Sequence, residues 1–294
     1  MNIQSVAQLV AASTETPIWE VILTDDLEQD TPEQREKSWN NMRRLWTVMQ
    51  DSVKEYNPTQ RSLSGLTGGD GVRYESMLAS GKMMCGNYLN QAIATALKVS
   101  ECNACMKRIV AAPTAGSCGV IPAVLLPYQQ EYPDATETDM IQALYVSGGF
   151  GNILAERASI SGAEAGCQAE IGTASAMAAG ALVALRGGTG EQIGHAVAMA
   201  LKNLMGLVCD PVAGLVEVPC VKRNVIGAVN AVSAADMALA GIESRIPVDE
   251  VIDAMGEVGR RMPVEFRETA LGGLAATPTG ERLKRELTAK REKQ

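Results

Sequence analysis

Two long alanine-rich stretches, Gln168–Arg186 and Gly190–Met205, follow one another near the middle of this chain. Side chains that small fill a core only if the backbones carrying them come close together, and apolar residues at helical spacing make those backbones tightly packed helices. Large rings cannot do the work instead, because aromatic residues are 4% of a chain that is 46% apolar. The segment ASAMAAGALVALRGG resembles a membrane span. Its small side chains and neighbouring charges fit a buried core helix better, and nowhere do about 20 apolar residues run uninterrupted.

Helical spacing recurs elsewhere. It predicts helices over Ile3–Ala12, Trp19–Leu27 and Pro32–Tyr56, the last capped by Thr31, which together wrap the rest. Further helices are expected over Asn87–Val99, Ala104–Ala111, Val120–Gln130, Thr138–Ser147, Asn152–Ile160, Val221–Ala240 and Val248–Arg260, the last with Pro247 in its first position. Between Asn57 and Gly86 the pattern breaks, and RSLSGLTGGDG carries too many glycines for a helix. Period-two alternation is scarce, and no repeat or linker divides the 294 residues. The expected fold is all-α, a single compact multi-helix domain of N-terminal helices (1–60), a core (61–240), and C-terminal helices with a tail (241–294).

A formal charge of −8 argues against a sequence-independent grip on nucleic acid or an anionic membrane. The basic run from Arg282 to Lys293 is interleaved with Glu281, Glu286 and Glu292, and reads as a solvated helical tail. Met1–Thr16 lacks the cationic start, apolar run and cleavage site of a signal peptide, so a cytoplasmic protein is expected. Seven cysteines, an odd number at uneven spacing in a chain large enough to fold without staples, point to metal binding or buried thiols rather than disulfides.

Three of those cysteines sit in loop contexts: Cys167 after SGAEAG, Cys209 within GLVCDPVAG, and Cys220 after EVP. The Asp210-Pro211 and Val218-Pro219 pairs bias the backbone towards extended or turn conformations in which thiolates can converge. A soft, thiolate-rich site suits an iron–sulfur cluster or zinc. Three ligands rather than four leave a coordination position open, where a metal can act as a Lewis acid.

Gly162-Ala-Glu-Ala-Gly-Cys167, Gly206-Leu-Val-Cys209-Asp-Pro-Val-Ala-Gly and Val218-Pro-Cys220-Val-Lys-Arg-Asn224 resemble the α chain of iron–sulfur L-serine dehydratases. The resemblance extends to Ser62-Leu-Ser-Gly-Leu-Thr-Gly-Gly-Asp70 and Ala112-Pro-Thr-Ala-Gly-Ser-Cys-Gly-Val-Ile-Pro122, and so covers about residues 60 to 240. It implies an all-helical core and a [4Fe–4S] cluster on Cys167, Cys209 and Cys220. It also implies β-elimination of water from L-serine to give pyruvate and ammonia, with the free iron binding the substrate hydroxyl. A β chain, separate or fused, then supplies further active-site residues including histidine.

The loop Ser62, Ser64, Gly65, Thr67, Gly68 and Gly69 offers backbone N–H groups and hydroxyls as a nest for a carboxylate, a role the resemblance favours over an ordinary flexible loop. Thr114, Gly116 and Ser117 precede a helix, so Thr114 or Ser117 can cap it while free N–H groups face the site. Arg223 and Asn224 are candidates to clamp the substrate carboxylate, whereas Lys222 reads as a surface residue. Cys102 and Cys105 read as incidental and Cys85 as core. Cys118 is a thiol near the site, not assigned as a fourth ligand because that would close off the reactive iron. His195, the one histidine, lies in an apolar helical setting and reads as a hydrogen-bonded core residue, with support of the cluster loop as the alternative. No residue stands out as general base, so the base is expected on the β chain. Elimination of sulfide from cysteine on the same cluster and a non-catalytic zinc scaffold are the competing readings. A pyridoxal-phosphate site finds no lysine in a persuasive setting.

Overall fold

The computed structural model describes residues 3–292; Lys293 of the basic run, and the outermost residues of both expected end segments, lie outside them. Thirteen α-helices follow in chain order among those residues: α1 (Val6–Ala12), α2 (Ile18–Asp26), α3 (Pro32–Lys54), α4 (Asp70–Leu78), α5 (Asn87–Ala104), α6 (Val120–Glu131), α7 (Glu137–Arg157), α8 (Gly162–Ala165), α9 (Thr173–Leu185), α10 (Gly190–Leu204), α11 (Cys220–Leu239), α12 (Val248–Arg261) and α13 (Pro278–Arg291). Among the described residues there is no strand, and one isolated parallel bridge pairs Cys209 with Arg267. The all-α expectation holds, and among the described residues no helix is long and apolar enough to cross a membrane.

The alanine-rich sequence explains the architecture. Helix α9 is buried from Thr173 to Val183 and enclosed by α6, α7, α10 and α11. Its alanines let those neighbours approach, and at Gly180 an added Cβ would stand 3.0 Å from the Phe150 ring. Buried polar groups then fix the register of three helices. Ser175 donates to the Gly227 carbonyl (2.8 Å), and Asn230 donates to Ser175 Oγ and to the Ala200 carbonyl (2.9 Å each). Helices α2 and α3 lie against α7, and α1 against α10 and α12, so the N-terminal helices do wrap the core. Thr31 caps α3 by accepting from the Gln34 N–H.

The sequence misplaced four local features. The glycine-rich region contains α4. Its first N–H groups, those of Asp70 and Gly71, are capped by the Glu101 carboxylate on α5, at 2.7 and 3.3 Å, a partner that local sequence does not reveal. The helix expected over Ala104–Ala111 is a loop, because Met106 takes a left-handed φ of 60° and Lys107 N–H closes back on the Cys102 carbonyl. Conversely, Gly148, Gly149 and Gly151 do not break α7. At Gly149 a Cβ would stand 2.5 Å from Ile22 and at Gly151 2.9 Å from Met177, so these two glycines serve close packing. Pro247 stands at the N-cap of α12 instead of its first turn.

Candidate active site

Cys167 follows Gly166, whose φ of +74° ends α8, and leads into a π-helical turn over Gln168–Gly172 that opens α9. Widened turns of this kind redirect side chains and recur at functional sites. Buried Gln168 holds this turn to its surroundings: its backbone N–H donates to the Leu207 carbonyl (2.9 Å), its side-chain oxygen accepts from Gly206 N–H (2.8 Å), and its amide donates to the Met255 carbonyl (3.0 Å). The strand-like piece carrying Cys209 is thereby fixed beside Cys167.

Cys209 itself is held from the C-terminal side. Its N–H donates to the Phe266 carbonyl (2.8 Å), and its carbonyl accepts from Glu268 N–H (3.0 Å). Next to it Asp210 accepts from Leu274 N–H and from Arg223, both at 2.8 Å, while the other arm of Arg223 donates to the Val208 carbonyl (2.8 Å). Residues 264–276 therefore form a strap over the Cys209 loop. Cys220 is the first residue of α11.

The three cysteines are buried. The Cys209 thiol is pushed well up from its ordinary pKa, first by its hydrogen bond with Cys167 and then by burial, and Cys167 also bonds the Arg223 guanidinium. Burial pushes Cys220 up to about 12, with Cys167 and Glu170 adding to it. Among the described residues no group of three or more His, Cys, Asp and Glu side chains is drawn together tightly enough to hold one metal ion. Cys167 and Cys209 meet, and Cys220, at the start of α11, is near enough to feel the charge of Cys167 and Glu170. Thiolates in such a place need a positive charge to be stable, which ligation to iron would supply; the soft donor set fits an iron–sulfur group.

Glu170, in the π-helical turn, is the carboxylate facing these thiols. Thr114 donates to its Oε1 at 2.7 Å, and it packs between two glycines, where a Cβ on Gly116 would stand 3.2 Å from Oε1 and one on Gly162 2.6 Å from Oε2. Burial raises its pKa, with the Thr114 hydrogen bond acting in the opposite sense.

The structure places the other expected site residues differently. Ser62 and Ser64 do gather round a carboxylate, but it is that of Glu217, at 2.6 and 2.8 Å, three residues before Cys220. Much of the loop's hydrogen bonding is satisfied internally: Gly65 N–H donates to the Ser62 carbonyl, Leu66 N–H to Ser64 Oγ, Thr67 N–H to Ser62 Oγ, and Ser62 N–H to the Thr67 carbonyl. Gly65, Gly68 and Gly69 all have positive φ, and Thr67 is buried. Ser117 bonds Thr114 and the Ala112 carbonyl. Neither Thr114 nor Ser117 caps α6. Buried Asn224 does so from α11, accepting from Gly119 N–H (2.8 Å) and donating to the Gly116 and Cys220 carbonyls (2.7 and 3.0 Å). Arg223 and Asn224 thus set the positions of the loops, and Lys222 pairs with Asp70.

Cys118 lies in the loop that Asn224 ties to Cys220, and Cys102 neighbours it from α5. Cys102 donates to the Ser52 carbonyl, and burial pushes its thiol up to about 11 and that of Cys118, which neighbours Cys102, to about 12. Cys85, expected in the core, is only half-buried. His195 Nδ1 accepts from Ser244 N–H at 3.4 Å, the hydrogen-bonded structural role. The sequence reading missed Glu170, Asp210, Glu217 and the strap. The signal was an acidic residue within three positions of each cysteine, in stretches otherwise poor in charge.

Fold and site together define a helical protein in which two thiols and a carboxylate gather where the buried helix α9 begins, with a third thiol at the start of α11. The chain belongs to the serine dehydratase alpha chain family, whose pattern it matches over residues 13–275. It is 48% identical over 286 residues to the probable L-serine dehydratase, alpha chain, of Bacillus subtilis (strain 168), covering 97% of this chain and 95% of that one. With the L-serine dehydratase, alpha chain, of Peptoniphilus asaccharolyticus it shares 51% identity over 207 residues, 70% of each chain. The L-serine dehydratase TdcG of Escherichia coli (strain K12) is 39% identical over 247 residues, which are 79% of this chain but 52% of that longer one.

Proposed function

We propose that this chain is the cluster-bearing α chain of an L-serine dehydratase, a lyase that eliminates water from L-serine to leave pyruvate and ammonia. The observation that carries the reading is the approach of Cys167, Cys209 and Glu170 beside the π-helical turn, with Cys220 at the head of α11, in a chain of the serine dehydratase family. When bound, a [4Fe–4S] cluster on Cys167, Cys209 and Cys220 supplies an open Lewis-acidic iron, since three protein ligands leave one position free.

The chain's own residues build the setting. Arg223 offsets thiolate charge at Cys167 while holding Asp210 and the Val208 carbonyl, so the Cys209 loop and α11 move as a unit. Asn224 ties the 112–119 loop to Cys220. That brings Thr114, Gly116 and Ser117 against Glu170, where the substrate would lie, while Ser62 and Ser64 steady Glu217 behind Cys220. The Gly65 tip, with nothing within 4 Å of the place a Cβ would take, is the part of the first loop open to substrate.

The family's designation as an alpha chain implies a partner subunit. The reading gives that β chain the general base, because the one histidine here is bound to Ser244. An apolar cleft of about 600 Å³ lined by Tyr74, Met77, Ile93, Val225 and Ile226 opens beside Lys222 on α11 and offers the β chain a seat.

The test is the anaerobic visible and EPR spectrum of the reconstituted chain, titrated with L-serine, beside Cys209→Ser. A brown chromophore that shifts with L-serine and is missing from the variant supports the reading. Colourless protein with stoichiometric zinc would replace it with a scaffold, and a shift with L-cysteine alone would move the leaving group from hydroxide to sulfide.

A further inference from the structure

Four carboxylates accompany the three cysteines; Glu268 on the strap is exposed, and the chain satisfies two of the other three itself. Asp210 is taken by Arg223 and Leu274 N–H, and Glu217 by Ser62 and Ser64. Glu170 differs. Among the described residues its Oε1 has one neutral donor, Thr114, and its Oε2 has no hydrogen-bond partner and no ion pair. Arg223, the cation beside Cys167, is occupied by Asp210, the Val208 carbonyl and Cys167. Oε2 of this half-buried carboxylate is left without a protein partner, and a partly desolvated carboxylate gains from a cationic ligand.

We propose that Glu170 receives the α-ammonium group of the amino-acid substrate, with Thr114 orienting the carboxylate and Gly116 and Gly162 giving it room. The inference rests on the reading of the thiol centre as the place where the substrate hydroxyl is engaged. In a β-hydroxy amino acid the hydroxyl and the ammonium stand on adjacent carbons, so the groups that recognise them must themselves be neighbours. Glu170 meets that requirement: a Cβ on Gly162 would stand 2.6 Å from its Oε2 and 3.4 Å from Cys209 Sγ, so the carboxylate and that thiol border the same spot. Binding also completes the site, since the ammonium brings the positive charge that the chain withholds. Specificity follows. The site selects amino acids over hydroxy acids of the same length, because a ligand without an ammonium leaves the carboxylate unpaired.

The experiment compares calorimetric binding of L-serine and of 3-hydroxypropanoate, the same skeleton without the ammonium, to the anaerobically reconstituted protein and its Glu170→Gln variant. Glutamine keeps the shape and the acceptor for Thr114. The expected result is a loss of about ten- to a hundred-fold in L-serine affinity with 3-hydroxypropanoate essentially unchanged. Equal weakening of both ligands, or unchanged L-serine binding, overturns the assignment while leaving the dehydratase reading intact. A collapse of kcat in the complete enzyme with L-serine affinity retained also overturns it, making Glu170 the base. Wild-type protein that holds its cluster and binds neither ligand overturns the underlying reading. Should Glu170→Gln fail to fold, Thr114→Val decides: L-serine weakened selectively supports the proposal, and both or neither weakened refutes it.

Discussion

Asp210 and Arg223 form a buried ion pair, 2.8 Å between Oδ1 and Nη2, with side chains only 5% and 14% exposed, immediately behind two of the cysteines. Removing one member leaves an uncompensated charge where water cannot reach. Asp210→Ala should cost about 3–5 kcal/mol of stability by urea unfolding, and should release the 264–276 strap to proteolysis. Asp210→Ala indistinguishable from wild type in both would mean that the pair does not hold the loop.

Ser62 and Ser64 share one carboxylate, so their effects are coupled. Each single alanine variant leaves Glu217 one hydroxyl, whereas the double variant leaves a buried carboxylate with none. The double variant should lose more than the sum of the singles, with a coupling of about 1–2 kcal/mol in a double-mutant cycle. Simple additivity would show that the two hydroxyls act independently.

At Gly68 the backbone takes φ +131°, and a Cβ would run into the Gln60 carbonyl and stand 3.0 Å from the Arg61 side chain. Gly68→Ala should destabilise the protein by about 2–3 kcal/mol, read as a fall in Tm, while Gly65→Ala, strained in φ but free of contacts, should cost less.

Burial moves Cys102 from an ordinary 9.0 to about 11. A thiol whose folded pKa is raised binds its proton longer in the native than in the unfolded state. Its contribution is therefore whole below about pH 9 and is lost as pH rises towards about 11. Stability should fall by roughly 1–2 kcal/mol across that window, and Cys102→Ala should flatten the fall even though it lowers stability at neutral pH. In alkylation followed by mass spectrometry, half-buried Cys85 and Cys105 should react in the native protein well before buried Cys102 and Cys118.

Much of this was legible in the residues. Alanine at helical spacing gave away α9 and α10, and of the three cysteines in glycine- and proline-rich loops the structure brings Cys167 and Cys209 together. The failures share a cause: partners distant in sequence. Helix α4 exists because Glu101 caps it from α5, α6 is capped by Asn224 from α11, and Ser62 and Ser64 bind Glu217, more than 150 residues away. Local pattern shows which side chains can bond, and only the packed chain shows with what. The glycines of α7 misled for a related reason, since a glycine that breaks a helix and one that admits Ile22 look alike in sequence.

The strap has a consequence for the order in which the molecule is made. Cys167, Cys209 and Cys220 all leave the ribosome before Phe266, Glu268 and Leu274, which fix the Cys209 loop through its own backbone and through Asp210. A nascent chain therefore exposes all its thiols while one of them still lacks its support. The Cys209 loop takes its final form only once the strap has been made, and a chain ending before Phe266 would leave that loop without its backbone partners.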